Sequence, residues 1–156
     1  MRNFLKKLNK KNKLDIVDSN KKVCESYLEK SESNMISAKI LLDANRLEEA
    51  TSLIYYSSYH LLLALLFRAG IKSENHSASI YLLTEIFDID NDFLLFAKKE
   101  RVDKQYYVSF DLVEKDVKNL IEKAEKFNSY IFDFISKLNN AKIKIYRNKF
   151  IELIKQ

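Results

Sequence analysis

The sequence predicts an all-α fold, an antiparallel bundle of about five helices, and three observations predict it. One Gly and no Pro in 156 residues leave almost none of the turn chemistry that a sandwich, a barrel or a Rossmann fold requires. The stretch Leu53 to Phe67 is nearly all apolar, with only three tyrosines, two serines and a histidine among its aliphatic and Phe residues. Finally, Val113, Val117, Leu120, Ala124, Phe127, Ile131, Phe134 and Leu138 alternate in steps of four and three, the seam of a bundle or coiled-coil helix. A chain of this length, 47% apolar and 31% charged, builds one domain with a sizeable core.

Taken in order, residues 1–24 read as a basic N-terminal arm, partly helical between Asn3 and Leu14. A first long helix is expected from Val23 to Ala44, with Tyr27, Ser31, Asn34, Ala38 and Leu41 on one stripe and Leu28, Met35 and Leu42 beside it. A second starts at Leu47, favoured by Glu48 and Glu49 in its first turn, and runs to Leu66 as a cylinder buried on most sides. Arg68-Ala69-Gly70 puts the sole glycine where a helix C-terminus needs positive φ. Ile71 to Asn75 reads as a loop in which Ser73 or Asn75 caps a third helix, His76 to Phe87. Asp88 to Asp92 is a turn before a fourth helix, Asp92 to Gln105. The bundle thus spans 25–138, and Asn139-Asn140 precede a basic amphipathic extension, 139–156, carrying Ile143, Tyr146, Phe150 and Leu153.

Charge is segregated. Residues 1–24 hold eight Lys/Arg against two Asp, residues 25–136 thirteen against nineteen Asp/Glu, and residues 137–156 six against one. Basic ends on an acidic body suit either solubility or nucleic-acid binding, and the cations are mostly Lys rather than the bidentate Arg. Cys24 is the only cysteine, so no internal disulfide forms and a reducing, cytoplasmic setting is expected. No stretch has the length of about 20 mainly apolar residues that crosses a bilayer, and the N-terminus lacks the apolar run of a secretory signal; no membrane association and no export are expected. Without a Gly-rich phosphate loop or a metal-ligand set, no cofactor and no metal are expected. Asp88, Asp90 and Asp92 begin like a calcium loop, but its sixth position is Phe93 and its twelfth Lys99, where Gly and Glu are needed.

Few residues invite chemistry. His60 lies inside the apolar helix, where a neutral, hydrogen-bonded imidazole is the default, and the surrounding tyrosines read as core. His76 sits at a helix N-terminus, where the dipole disfavours its protonated form. The stretch Lys98-Lys99-Glu100-Arg101-Val102-Asp103-Lys104-Gln105-Tyr106-Tyr107 gathers cations and two phenols at a helix end. Arg101, His76, Tyr106 and Tyr107 are therefore the candidate site residues.

These features, in this order, resemble the HEPN domain family: Tyr55-Tyr56-Ser57-Ser58-Tyr59-His60, Ala64-Leu65-Leu66, Gly70, Lys72-Ser73 with His76, then Arg101 with Tyr106-Tyr107. The resemblance covers residues 25–137. It implies a helical bundle that homodimerises and is often encoded beside a minimal nucleotidyltransferase. Many such proteins are metal-independent ribonucleases, in which an Arg and a closely following His from each of two chains face one another across the dimer cleft. Histidine moves protons from the 2′-OH and to the leaving oxygen, and arginine neutralises the phosphorane.

In this sequence no His follows Arg101, and seven residues separate Arg68 from His76, one more than the four to six that the resemblance implies between the motif's arginine and histidine. A phenol with its ordinary pKa of about 10 is a poor base at neutral pH. The expected function is therefore that of a helical partner of a nucleotidyltransferase in a toxin–antitoxin or defence pair, with little or no nuclease activity. Two alternatives are a metal-independent endoribonuclease using Arg101 with His76 or a tyrosine, and a non-enzymatic nucleic-acid-binding or scaffold protein using its basic ends.

Overall fold

The computed structural model describes residues 1–106 and 112–155, the side chains of 103–106 excepted. Its elements are α1 (Arg2–Lys10), β1 (Leu14–Ile16), α2 (Lys21–Asp43), α3 (Leu47–Arg68), β2 (Ile71–Ser73), α4 (His76–Phe87), α5 (Asp92–Tyr106), α6 (Glu114–Ser136) and α7 (Asn140–Lys155). The all-α expectation holds, with one small antiparallel ribbon added. The five helices expected for the bundle are α2 to α6, each within a few residues of the bounds read from the sequence.

Helix α3 is the axis. Thirteen of its residues are buried, and α2, α5 and α6 all pack on it. By length and composition it could cross a membrane, but it lies mostly buried among its neighbours. Each buried Leu contributes roughly 1.5–3 kcal/mol of transfer free energy, which leaves the hydroxyls on the same helix needing partners. They find them on the helices around it. Ser57 Oγ donates to the Ser31 carbonyl on α2 at 2.8 Å and accepts from Asn128 Nδ2 on α6 at 3.0 Å. Ser58 Oγ donates to Asn128 Oδ1 at 2.8 Å, and Thr51 Oγ1 to its own helix at Leu47 O. Polar bonds in a buried seam have strict geometry, so they fix the register that Leu packing alone leaves loose.

The helix ends form as the sequence dictates. Gly70 adopts φ +73° after α3. Of the two candidate caps, Asn75 is the one used: its Oδ1 accepts from Ala78 N at 2.9 Å. Asp88 ends α4 in the left-handed region and pairs with Lys149 at 2.7 Å, while Asp90 Oδ1 accepts from Asp92 N. The acidic turn thus serves as cap and ion pair. Asn139 Oδ1 caps α7 through Lys142 N at 2.9 Å.

Two expectations need correction. The basic arm is part of the fold: Leu5 and Leu14 are fully buried, α1 packs on α7, and β1 pairs antiparallel with β2, Leu14 opposite Ser73 and Ile16 opposite Ile71. The segment read as a loop after Gly70 is therefore a strand. A three-residue strand has no periodicity to detect, and its partner lies more than fifty positions away. In addition, the α6 seam is filled from within the chain. Val117, Leu120, Ala124 and Ile131 are buried with α3 packed against them.

Candidate functional site

The site is built on the face of α3 that carries Tyr55, Tyr56, Tyr59 and His60. Because Asn75 caps α4, His76 is the first residue of that helix, and its ring lies flat on Tyr59, centroids 4.0 Å apart. Its Nδ1 is 2.7 Å from the Tyr55 hydroxyl. From the other side, Arg101 on α5 donates from Nη1 to Tyr56 Oη at 3.0 Å. Its Cζ is 5.2 Å from the centroid of Tyr55 and 5.3 Å from that of Tyr56, within cation–π range of both. Lys98, one turn earlier on α5, donates from Nζ to Ser77 Oγ at 2.7 Å.

Electrostatically the cluster is uniformly positive. Burial holds the His76 imidazole below its ordinary pKa, and the charges of Arg101 and Lys98 push it the same way. Burial, then Arg101, likewise lowers the Lys98 ammonium. Among the described residues neither cation has a carboxylate partner. Among the described residues Arg101 Nε is buried without a hydrogen-bond partner, while its Nη1 reaches Tyr56.

Burial raises the Tyr55 phenol well above its usual range, so it stays a neutral hydroxyl, able to donate to His76 Nδ1 or to accept from it according to the imidazole tautomer. The guanidinium and the ammonium are both donors, so the arrangement is suited to neutralise and bind an anion.

Of the residues named from the sequence, Arg101 and His76 meet on the same pair of tyrosines. Tyr106 ends α5 with its side chain outside the described residues, and Tyr107 lies outside them altogether. Tyr55 and Tyr56, read as core, are the residues that bring arginine and histidine together. A detectable signal was the density of hydroxyls in a helix otherwise buried: each needed a polar partner, and residues such as Arg101 and His76 were available to supply it.

The fold and this cluster define a class: a small helical bundle that holds an arginine, a lysine and a histidine against tyrosines of its central helix. A family model for the HEPN domain matches residues 24–141, and the chain belongs to that family. It is also 26% identical over 134 residues to a UPF0332 protein of Thermotoga maritima, an alignment that covers 80% of this chain and 100% of the relative. The family match leaves out α1, β1 and nearly all of α7. Where the resemblance implied an arginine and a histidine facing each other from two chains, here Arg101 and His76 converge within one.

Proposed function

We propose that this HEPN protein acts as the helical partner of a nucleotidyltransferase in a toxin–antitoxin or defence pair, and that its Arg101–Lys98–His76 cluster holds an RNA phosphate without efficient cleavage. The observation that carries the second part is the gathering of two cations, Arg101 and Lys98, beside His76. No histidine follows Arg101 in the sequence, and this argues against efficient cleavage by the family's arginine–histidine motif. Two cations without a carboxylate partner among the described residues still favour a phosphate strongly. The nucleotidyltransferase partnership is supported by family membership, not by the site.

The test is RNA incubated in chelator with wild type, Arg101→Ala and His76→Ala, each shown to be folded by circular dichroism. Salt-dependent binding that is lost in Arg101→Ala, with no cleavage, is the expected result. Cleavage by wild type that either substitution abolishes would establish the ribonuclease reading instead, which the meeting of Arg101 and His76 in one chain favours. For the partnership, a nucleotidyltransferase should be encoded beside this gene and should co-purify with the chain; the lack of such a neighbour, or its passage through the column unbound, would count against the pair.

A further inference from the structure

The histidine left unused by this site belongs to a second cluster, and Tyr56 joins the two. His60 lies one turn after Tyr56 on α3, with ring centroids 5.9 Å apart. It lies 5.8 Å from the ring of Tyr27 on α2, and Asn34, two turns along α2 from Tyr27, donates from Nδ2 to His60 Nδ1 at 2.9 Å. At the far end, Lys30 places its ammonium 5.5 Å from the centroid of Tyr27. The order across the surface is therefore Arg101, Tyr56, His60, Tyr27, Lys30: three half-exposed rings in near-equal steps with a cation at each end. None of the rings is fully buried, unlike Tyr55 and Tyr59, which are 0% and 4% exposed and complete the core.

Burial, and then Lys30, holds the His60 imidazole below its ordinary pKa. Its accepting Nδ1 leaves the proton on Nε2, and Asn34 keeps its carbonyl oxygen for another donor, so the strip carries one hydrogen-bond donor and one acceptor among its rings. Aromatic rings interleaved with cations are the pattern on which single strands lie, bases stacked and phosphates neutralised. We infer that the Tyr56–His60–Tyr27 strip is a nucleobase subsite, stacking unpaired bases of a single strand whose phosphates are held by Arg101 at one end and Lys30 at the other. This rests on the phosphate-binding reading proposed above and adds that the bases, as well as the backbone, are bound.

The experiment compares a short oligouridine with an abasic ribose–phosphate oligomer of the same length, on the full chain. Wild type should bind the base-bearing strand about tenfold more tightly or better, the scale of one or two stacked bases. Tyr27→Leu and His60→Gln should reduce it to the abasic affinity while leaving abasic binding as in wild type, which also shows that the variants are folded. Equal binding of the two oligomers by wild type would overturn the subsite and spare the phosphate site; no binding of either would overturn both. A wild-type measurement covers variants that fail to fold: an oligomer carrying 5-iodouridine should crosslink to the peptides containing Tyr27 or Tyr56 to His60. Crosslinks confined to other peptides would refute the assignment.

Discussion

The collar that closes the bundle and the aromatic face of α3 each contain an arginine, and the two arginines are used in opposite ways. In the collar, made of α1, β1, β2 and α7, Arg147 donates from Nη1 to the carbonyl of Val17 across the bare Cα of Gly70, whose own carbonyl accepts from Val17 N at 3.0 Å. On the aromatic face, Arg101 bonds one phenol and lies against the rings of two, with no carboxylate partner among the described residues. The first guanidinium completes a backbone junction, whereas the second rests its charge on tyrosine rings. What each guanidinium touches, rather than its charge, distinguishes the two.

That contrast can be broken most directly in the collar. Leu5→Ala should cost about 3 kcal/mol, the scale of a fully buried leucine removed from a packed core, measured by urea unfolding. Arg101→Ala should cost about 1–2 kcal/mol, through the lost hydrogen bond to Tyr56 and the lost ring contacts, while abolishing RNA binding. If Leu5→Ala proves neutral, residues 1–24 are an arm after all. Next in size is Gly70→Ala at about 2 kcal/mol: a Cβ there would lie 2.0 Å from Arg147 Nη1 and 2.7 Å from the Val17 carbonyl, at a φ of +73°. Arg147→Ala alone should cost about 1 kcal/mol through its lost hydrogen bond. Because the side-chain clash disappears in the double variant, the two substitutions should be less than additive; strict additivity would mean that the guanidinium does not cross Gly70.

The smallest expected effect sharpens the other side of the comparison. Both imidazoles are held below their ordinary value of 6.5, so the unfolded chain binds protons more readily than the folded one. Their contribution to stability is complete above about pH 6.5 and is lost as the pH falls below that value toward their folded pKa values. Arg101→Ala should raise the His76 pKa, followed by NMR titration of its ring protons, and leave His60 almost where it was. An unmoved His76 would show that Arg101 is not the neighbour that depresses it.

The sequence made α2 to α6 legible because each carries a long apolar stripe and a marked end, Gly70 and Asn75 above all. The ribbon was illegible for the opposite reason: Leu14-Asp15-Ile16 becomes a strand only by pairing with Ile71-Lys72-Ser73, and three residues hold no period. The site was half legible. Arg101 and His76 could be named from residue type and helix-end position, but no local pattern links positions 25 apart, and the tyrosines that link them were concealed by the apolar residues around them. The basic ends could be counted from the sequence but not their packing. Deleting residues 1–24 would remove Leu5 and Leu14 from the core, so lysine-to-glutamate changes on α1 are the sound way to test whether the ends bind nucleic acid.

The Arg147 bond to Val17 joins positions 130 apart, and this orders events during synthesis. Everything needed to assemble the tyrosine, histidine and arginine cluster, residues 55 to 101, leaves the ribosome long before α7 does. The N-terminal helix must meanwhile wait with Leu5 and Leu8 uncovered by α7, since contacts this distant in sequence are the last to close. A nascent chain stalled ahead of α7 would therefore carry a nearly finished binding face and an open, chaperone-accessible end.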